Sequence, residues 1–374
     1  MNDNHLKSVV LVDYFLPKNL YTYELCKELS KYMNVTLICK DNFEVKNNVS
    51  FNIRPVLHSK RDSNKVYAFR RYLKDLIIIR DIVKEVRPEI LHIQGIIHYE
   101  FEVPFYRFLK KYVKSICFTV HNILPHEAKK KDEKKLIRIC NIANILIIHN
   151  ESSKDLLLEH IGAQNKDKIF VIPHGCYTGY KVKTEKSNEK LCFLMFGLLR
   201  KYKGIDILLK AIKLLPEDIK EKCRFIIAGN QQKNYDNTDY IALRDELDLD
   251  NQIVEFDIRF IPDELVESYF NKSDCVIFPY REIYASGALL MAYSFEKPVI
   301  VSGIPVFVEE TDNGKTGLIF NKNNEKDLAD AIELFVTMDK KNREEFVENI
   351  VDLKNRKYSW DISARLTVLA YRIK

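Results

Sequence analysis

The sequence predicts an α/β protein made of two Rossmann-like domains, and two observations lead to this. Short apolar segments of strand length alternate with longer amphipathic segments along all 374 residues, a pattern typical of mainly parallel sheets covered by helices. A polar segment without periodicity interrupts the alternation at 177–190, and we interpret it as a linker. We therefore expect domains at 1–176 and 191–358, a terminal helix at 359–374, and a ligand cleft between the domains.

In the first domain, the predicted strands are short apolar runs that end at polar or glycine-containing turns. They fall at Val9–Asp13, Asn34–Cys39, Glu89–Gln94, Ser115–Val120, Ile145–His149 and Lys168–Ile172. Between these runs, apolar residues spaced three or four positions apart predict helices. The helices fall at Leu20–Tyr32, Val66–Val86, Glu100–Tyr112 and Ser152–Ile161.

The second domain repeats this alternation. Its predicted strands are Leu191–Phe196, Arg224–Ala228, Gln252–Phe256, Asp274–Phe278 and Pro298–Ser302. Its predicted helices are Ile205–Leu215, Pro262–Phe270, Ala288–Phe295 and Glu325–Met338. The first of these helices has a clear apolar face, formed by Ile205, Leu208, Leu209, Ile212 and Leu215. We expect that face to pack against the sheet.

Composition narrows the class of protein. No apolar run reaches the roughly 18 residues of a membrane span, and the polar N-terminus predicts a cytoplasmic protein without a signal peptide. The eight cysteines are scattered, which favours reduced, buried thiols over a disulfide framework or zinc site. The net charge is +6, but residues 1–180 carry +9. A basic half attracts anionic partners, including the inner face of a membrane, and no nucleic-acid motif accompanies it.

The turn between a predicted strand and a predicted helix carries the most informative residues, Arg200 and Lys203. The strand Leu191–Phe196 precedes them and the helix that begins at Ile205 follows. Doubly wound sheets bind ligands at the carboxyl ends of their strands. Two cations beside a helix N-terminus suit a diphosphate. The alternative is a pair of solvated surface cations.

Six short segments follow one another over some 180 residues: Thr119–Asn122, Val171–Gly175, Phe196–Gly204, Phe225–Gly229, Ser273–Tyr280 and Lys297–Val301. In their type and order they resemble the retaining glycosyltransferases of the family 4 type (glycosyl transferases group 1). The resemblance implies the GT-B fold, in which two Rossmann-like domains face each other across a cleft. It also implies that the helix beginning at Trp360 packs back on the N-terminal domain.

The resemblance assigns the donor site to the second domain. Arg200 and Lys203 would bind the diphosphate of a nucleotide-sugar and stabilise the anion that leaves, which makes them catalytic as well. The implied donor-binding residues are Gly197, Arg200, Lys203, Ile258, Arg259, Glu282, Ser286, Gly287 and Ala288. Ser286 and Gly287 precede a predicted helix whose N–H groups suit phosphate, although Ser286 also fits an ordinary helix cap.

One departure from the family pattern concerns a pair of glutamates. Many members carry two glutamates with seven residues between them, one for the donor sugar and one for the ribose. Aligned through Lys297, these positions hold Ile283 and Met291 here. Taking Glu282 as the first glutamate places Leu290 at the second position, so the second carboxylate is missing in either alignment.

The first domain should hold the acceptor. His121 follows a predicted strand, and the resemblance implies that it contacts the donor sugar near the reacting centre; a structural role is the alternative. The candidates for acceptor contact are His92, Gln94, Asn122 and His126.

The resulting hypothesis is a retaining glycosyltransferase that needs no metal and no cofactor, since fixed cations stabilise the leaving group. It would move a hexose-type sugar from a nucleoside diphosphate, with UDP expected, to a saccharide or lipid-linked hydroxyl in surface polysaccharide or glycolipid assembly. Helix Val66–Val86 would pack on the core or lie against a membrane. A sugar-nucleotide epimerase and a catalytically silent nucleotide-binding subunit or scaffold are the alternatives.

Overall fold

The chain forms two compact units. The N-terminal unit comprises Met1–Gly175 with Tyr358–Lys374, and the C-terminal unit comprises Cys176–Lys357. The computed structural model describes residues 8–44, 48–59, 64–124, 130–182 and 190–373. Of the predicted linker, residues 177–182 and 190 belong to the C-terminal unit, and 183–189 lie outside the described residues.

The N-terminal unit is built on a parallel sheet with the order β3-β2-β1-β4-β5-β6-β7. Its strands are β1 Ser8–Val12, β2 Asn34–Lys40, β3 Asn52–Leu57, β4 Ile90–Ile93, β5 Ser115–Thr119, β6 Ile145–Ile148 and β7 Ile169–Val171. Its first five helices are α1 Tyr21–Leu29, α2 Lys65–Val86, α3 Tyr99–Leu109, α4 Lys130–Ile142 and α5 Glu151–Ile161. The strand order changes direction between β1 and β4, which places a ligand-binding crevice at their carboxyl ends.

The C-terminal unit contains a second parallel sheet, with the order β10-β9-β8-β11-β12-β13. Its strands are β8 Leu191–Phe196, β9 Cys223–Ala228, β10 Val254–Asp257, β11 Cys275–Phe278, β12 Val299–Ser302 and β13 Gly317–Phe320. Its helices are α6 Ile205–Leu214, α7 Glu217–Lys220, α8 Tyr240–Glu246, α9 Asp263–Lys272, α10 Gly287–Ser294, α11 Pro305–Glu310, α12 Glu325–Thr337 and α13 Lys340–Arg356. Here the direction changes between β8 and β11. The α/β prediction of two Rossmann-like sheets is confirmed.

The final helix, α14 (Trp360–Ile373), returns to the N-terminal unit, as the resemblance implied. Trp360 packs against Tyr21 at a ring distance of 5.3 Å, within the apolar core that α1 and α14 share. A Cβ atom on Gly175 would lie 2.4 Å from the indole. Only glycine therefore lets the indole pack directly on this backbone.

The sequence analysis missed seven elements, which are β3, β13, α4, α7, α8, α11 and α13. Two of them show why. The edge strand β3 contains Arg54 and Pro55 and has one buried residue, Leu57, so its sequence lacks an apolar run. Helix α13 is long, but it buries only Ile350 and Leu353 among its described residues, which leaves almost no periodic apolar signal. In contrast, the apolar face predicted for α6 is buried throughout. All eight cysteines are buried and free, as expected.

None of the helices within the described ranges combines the length and the apolar character needed to traverse a bilayer.

Glycines shape the turn that follows β8. Gly204 has φ +69°, and a Cβ atom there would lie 2.0 Å from the carbonyl oxygen of Pro279, after β11. Gly229 has φ +147°, and its Cβ would lie 1.8 Å from the carbonyl oxygen of Gly197. The loops after β8, β9 and β11 therefore approach each other more closely than any other residue type allows.

We expect Gly204→Ala to destabilise the protein clearly more than Gly179→Ala does. Both glycines have a positive φ, but nothing lies within 4 Å of a Cβ atom on Gly179. The control variant Gly179→Ala therefore adds only the strain of a left-handed backbone conformation, about 1–2 kcal/mol. Gly204→Ala adds a collision with the backbone of Pro279 as well. Urea unfolding followed by circular dichroism measures both variants, and equal losses would contradict the packing described here.

Candidate functional site

Two loops meet where the strand order of the C-terminal sheet changes direction. The loop after β8 carries Arg200 and Lys203, and the loop after β11 leads to α10. Arg281 joins them: its backbone N–H donates to the Tyr202 carbonyl at 2.7 Å, and its guanidinium donates to the Lys201 carbonyl and to Asp206, both at 2.7 Å. Hydrogen bonds from Arg281 thus connect the two loops that carry the predicted diphosphate-binding residues. We call these two loops, at the carboxyl edge of the sheet, the platform.

Lys203 is the most unusual cation of this platform, since its side chain is only 6% exposed. Its Nζ lies beside Gly197 and 5.1 Å from the centre of the Tyr280 ring. Burial, and to a smaller extent the charge of Arg200, lowers the pKa of Lys203 to about 8. The structure therefore excludes the alternative of a solvated surface cation at this position.

Arg200 is held by side chains that follow β9. Its guanidinium donates to Gln232 Oε1 at 3.1 Å and stacks on the Tyr235 ring at 3.9 Å. Stacking leaves the edge of a guanidinium available to a planar or anionic partner. Arg200 and Lys203 together place two positive charges near the N-terminus of α6.

The start of α10 provides backbone donors. Ser286 is buried and caps the helix, its Oγ accepting from the Leu289 N–H at 3.1 Å. A Cβ atom on Gly287 would lie 2.8 Å from the Tyr177 hydroxyl. Ser286 is therefore a helix cap, and phosphate binding by Ser286, Gly287 and Ala288 stays a prediction that rests on the open first turn of the helix.

The remaining predicted donor residues lie on two loops. Ile258 and Arg259 follow β10, and the Arg259 guanidinium is engaged by Asp257 at 2.7 Å. Glu282 is exposed on the loop before α10. The missing second glutamate is replaced by apolar side chains in either alignment: Met291 is partly exposed on α10, and Leu290 is buried.

An Asp-x-Asp spacing occurs at Asp248 and Asp250, but these residues precede β10 and so lie at the amino edge of the sheet, away from the platform. Asp248 pairs with Lys213 at 3.3 Å. Among the described residues, no group of three His, Cys, Asp or Glu side chains is arranged to hold a metal ion.

The N-terminal unit contains a continuous chain of polar side chains behind the carboxyl ends of β4, β5 and β6. It runs from the Ile172 carbonyl to His149 (3.0 Å), His121 (3.1 Å), Gln94 (3.1 Å), His92 (3.1 Å) and Tyr371 (2.6 Å). His92 also contacts Thr119 Oγ1 at 2.7 Å. Burial lowers the pKa of His92 to about 3 and that of His149 to about 4, and it holds the pKa of His121 well below its usual range. All three imidazoles are therefore neutral at pH 7.

Neutral rings fix the direction of every hydrogen bond in this chain. The Ile172 carbonyl can only accept, so His149 Nδ1 donates to it and His149 Nε2 accepts from His121 Nδ1. His121 Nε2 must then accept as well, which requires the Gln94 amide nitrogen to face it, the reverse of the amide rotamer in the structure. His92 Nε2 then donates, and its Nδ1 accepts from Tyr371. One backbone carbonyl thus determines the tautomer of His121.

A cavity of about 620 Å³, here called the first cavity, lies next to this row of hydrogen-bonded side chains. Gln94, His121 and Asn122 line it, together with Phe15 and Lys18. The structure therefore brings together three of the residues predicted to contact substrates.

The predicted acceptor contacts of His92 and His126 have different outcomes. His92 is fully buried and does not line the cavity, so the predicted acceptor contact is corrected: His92 lies behind Gln94 and orients it. His126 lies outside the described residues. Sequence reasoning missed His149 and Tyr371, because only the parallel register of β5 and β6 and the return of α14 bring them to His121 and His92.

Acidification should destabilise the N-terminal unit. Burial also lowers the pKa of His174 to about 3. Because the folded-state pKa values lie below the usual 6.5, stability is fully present above pH 6.5 and falls as the pH drops towards 4, by up to about 1.4 kcal/mol per pH unit and per histidine. Urea unfolding at several pH values and NMR of the imidazole nitrogens measure this effect. Imidazoles that titrate near pH 6.5 in the folded protein would contradict the neutral chain.

Two Rossmann-like units, with a buried lysine and an arginine at the carboxyl edge of the second sheet, define a protein of the GT-B glycosyltransferase class. Residues 178–351 match the family model described as glycosyl transferases group 1, and residues 19–179 match that described as Glycosyltransferase Family 4. Together these matches account for residues 19–351, and the chain belongs to this family of glycosyltransferases.

Similar proteins agree with this assignment. A GDP-mannose:glycolipid 4-beta-D-mannosyltransferase of Xanthomonas campestris is 24% identical over 56% of this chain and 56% of that protein. The sucrose-phosphate synthase of Thermosynechococcus elongatus superimposes with a TM-score of 0.76 at 14% identity, over 98% of both chains. Anabaena HepE in complex with UDP-glucose superimposes with a TM-score of 0.69 at 13% identity, over 96% of this chain and 98% of that one. At these identities the two structures support the fold alone.

The chain spans about half the length of the curated relatives it matches, from 48% to 56%.

Proposed function

We propose that this protein transfers a hexose-type sugar from a nucleoside diphosphate to a hydroxyl acceptor, with retention of anomeric configuration and without a metal ion. The buried ammonium of Lys203 carries the proposal. The side chain of Lys203 is 6% exposed and lies next to Arg200 and a helix N-terminus, which repel its charge, so an anion is the partner that this ammonium favours beside the ring of Tyr280. A diphosphate supplies that anion and removes the repulsion.

The same charges account for catalysis. Negative charge grows on the leaving diphosphate as the bond to the sugar breaks, and cations fixed beforehand stabilise it without reorganising. The acceptor oxygen bonds to the anomeric carbon on the face from which the diphosphate leaves, and its proton passes to the leaving phosphate oxygen, so no side chain has to act as a nucleophile or as a base. His121 suits this scheme, because both of its nitrogens are engaged in a neutral chain, and it acts as a fixed polar wall of the first cavity.

UDP is the proposed nucleotide, and GDP is the second candidate. The Anabaena HepE structure holds UDP-glucose, whereas the Xanthomonas relative is named for GDP-mannose. The loop of Ile258 and Arg259 follows β10, at the same sheet edge as Arg200, and would lie against the base.

The proposed acceptor is a saccharide or glycolipid bound in the first cavity, in surface polysaccharide or glycolipid assembly. The Xanthomonas relative is named for a glycolipid acceptor. The basic N-terminal half and the exposed apolar side chains of α2 would bring the protein to an anionic membrane surface.

A catalytically silent nucleotide-binding subunit is the second candidate function. The apolar Leu290 and Met291, at the positions where a second carboxylate is expected, favour it. Such a protein would bind a nucleotide but never consume its sugar conjugate.

A thermal-shift screen against UDP, GDP, ADP, dTDP and CMP tests the diphosphate site. We expect one nucleoside diphosphate at 100 times its Kd to stabilise the protein by about 2.7 kcal/mol. Arg200→Ala/Lys203→Ala should abolish the effect, and Lys210→Ala, an exposed cation on α6, should retain it. The affinity should fall as the pH rises above about 8, because Lys203 loses its charge, and Lys203→Met should remove this pH dependence.

Absence of stabilisation by any of these nucleotides, or an equal loss in Lys210→Ala, would overturn the assignment of the site.

Turnover distinguishes the transferase from the silent subunit. We expect the nucleotide-sugar selected by the screen to be consumed in the presence of a glycolipid extract, at the same rate with and without EDTA. Proton NMR of the product should show the anomeric configuration of the donor. An inverted product would contradict retention, loss of activity in EDTA would contradict metal independence, and nucleotide binding without any turnover would favour the silent subunit.

A further inference from the structure

The loop between β9 and α8, residues 229–239, carries the two side chains that contact Arg200, and we call it the β9 loop. Its own side chains fix it. Asp236 is buried, and its carboxylate accepts from the Thr238 N–H at 3.0 Å and from the Tyr240 hydroxyl at 2.6 Å. The Gln231 amide donates to the carbonyls of Asp236 at 3.1 Å and Thr238 at 2.7 Å. These bonds hold the loop in a defined conformation.

The β9 loop is also joined to the platform. Leu199, in the loop after β8, pairs with Gln231 in an isolated parallel bridge. Further along the β9 loop, the backbone N–H of Tyr235 donates to the Gln232 carbonyl at 2.8 Å, which places these two residues in one turn. Because Leu199 directly precedes Arg200, the bridge brings this turn beside the guanidinium.

Arg200 differs from the other arginine of the platform in the kind of partner that holds it. Arg281 donates to the Asp206 carboxylate at 2.7 Å, which offsets its charge. Within the described ranges, the partners of Arg200 are instead the amide oxygen of Gln232 and the ring of Tyr235. Neither group is charged, so both hold the guanidinium and leave its positive charge to an incoming anion.

Holding Arg200 without neutralising it has a physical benefit. An unrestrained arginine side chain loses rotamer entropy when a ligand orders it. Burial and, to a smaller extent, the charge of Arg200 lower the pKa of Lys203, so the two cations also repel each other. The ring contact and the hydrogen bond oppose this repulsion and order the guanidinium before the anion binds, which lowers the cost of binding.

We infer that Gln232 and Tyr235 are positioning residues that orient Arg200 towards the diphosphate of the donor. Asp236 acts one step further away, because it fixes the loop that carries both. The inference rests on the proposed function in one respect, that the anion bound by Arg200 and Lys203 is the diphosphate of a sugar nucleotide.

NMR of the arginine Nε–H groups in the free protein tests the orientation of Arg200 without any ligand. The Arg200 signal, identified by its loss in Arg200→Lys, should be shifted by the ring current of Tyr235, whose centre lies 3.9 Å from the guanidinium carbon. Tyr235→Leu should remove this shift. Tyr235→Phe should keep it, because the ring and not the hydroxyl makes the contact. An Arg200 signal at the same position in Tyr235→Leu and in the wild type would overturn the inference.

Calorimetric titration with UDP and with GDP measures the consequence for binding. We expect Tyr235→Leu to weaken binding about two- to fivefold, the factor that a cation–π contact at an exposed site is worth. Tyr235→Phe should retain the wild-type affinity. Gln232→Glu should weaken binding at least fivefold, and more than Gln232→Ala does, because the new carboxylate offsets the charge of Arg200. Lys233→Gln changes the net charge equally at an adjacent exposed residue and should stay within about twofold of the wild type.

Three results of the titration would overturn the inference and leave the diphosphate site intact. Equal affinities of Tyr235→Leu and Tyr235→Phe would show that the ring contributes nothing. Tighter binding by Tyr235→Leu would show that the β9 loop holds Arg200 away from the anion, and equal losses in Gln232→Glu and Lys233→Gln would reduce the effect to net charge.

Thermal unfolding of each variant without nucleotide is the folding control. If the wild type binds neither UDP nor GDP, the proposed nucleotide fails, and the Arg200 signal of the free protein still decides whether the β9 loop orients this side chain.

Discussion

The buried positive charge of Lys203 is the constraint on which the C-terminal unit depends. Taking an ammonium out of water beside an arginine and a helix N-terminus is unfavourable, and its lowered pKa expresses this cost. The surroundings hold the charge in place nonetheless: Gly197 and Gly204 allow the loops to close, and Arg281 ties them together. The stability of the parallel sheet beneath offsets the cost of holding this buried charge in place.

The hydrogen-bonded chain from Ile172 to Tyr371 in the N-terminal unit follows the opposite principle, since its buried imidazoles are neutral and each one both donates and accepts a hydrogen bond. A single carbonyl at Ile172 orders the tautomers of His149 and His121. Each ring donates on one side and accepts on the other, so a change at one end is felt at the other. The two units therefore differ in kind: Lys203 and Arg200 give the C-terminal unit fixed positive charge, whereas the imidazoles of the N-terminal unit's polar chain are uncharged at pH 7.

Local patterns in the sequence were sufficient to predict a site where charged residues lie between a strand pattern and a helix pattern. Arg200 and Lys203 could be predicted because a buried strand and an amphipathic helix flank them, and α14 could be predicted through Trp360 and the resemblance. The His121 chain could not, because Tyr371 and His92 are 279 residues apart and meet only in the folded unit. The same holds for Lys40 and Arg71, which share no motif and line one cavity of the N-terminal unit because the order of β1, β2 and β3 brings them together.

The return of α14 also bears on the order in which the protein is made. The C-terminal unit is a continuous stretch of chain, whereas the N-terminal unit takes Trp360 into its core and Tyr371 into its polar chain. During synthesis from the amino terminus, the first 175 residues leave the ribosome without these two side chains and wait for the entire C-terminal unit to follow. The unit that is translated first is thus the one completed last, and its exposed core is the segment that a chaperone would have to shield.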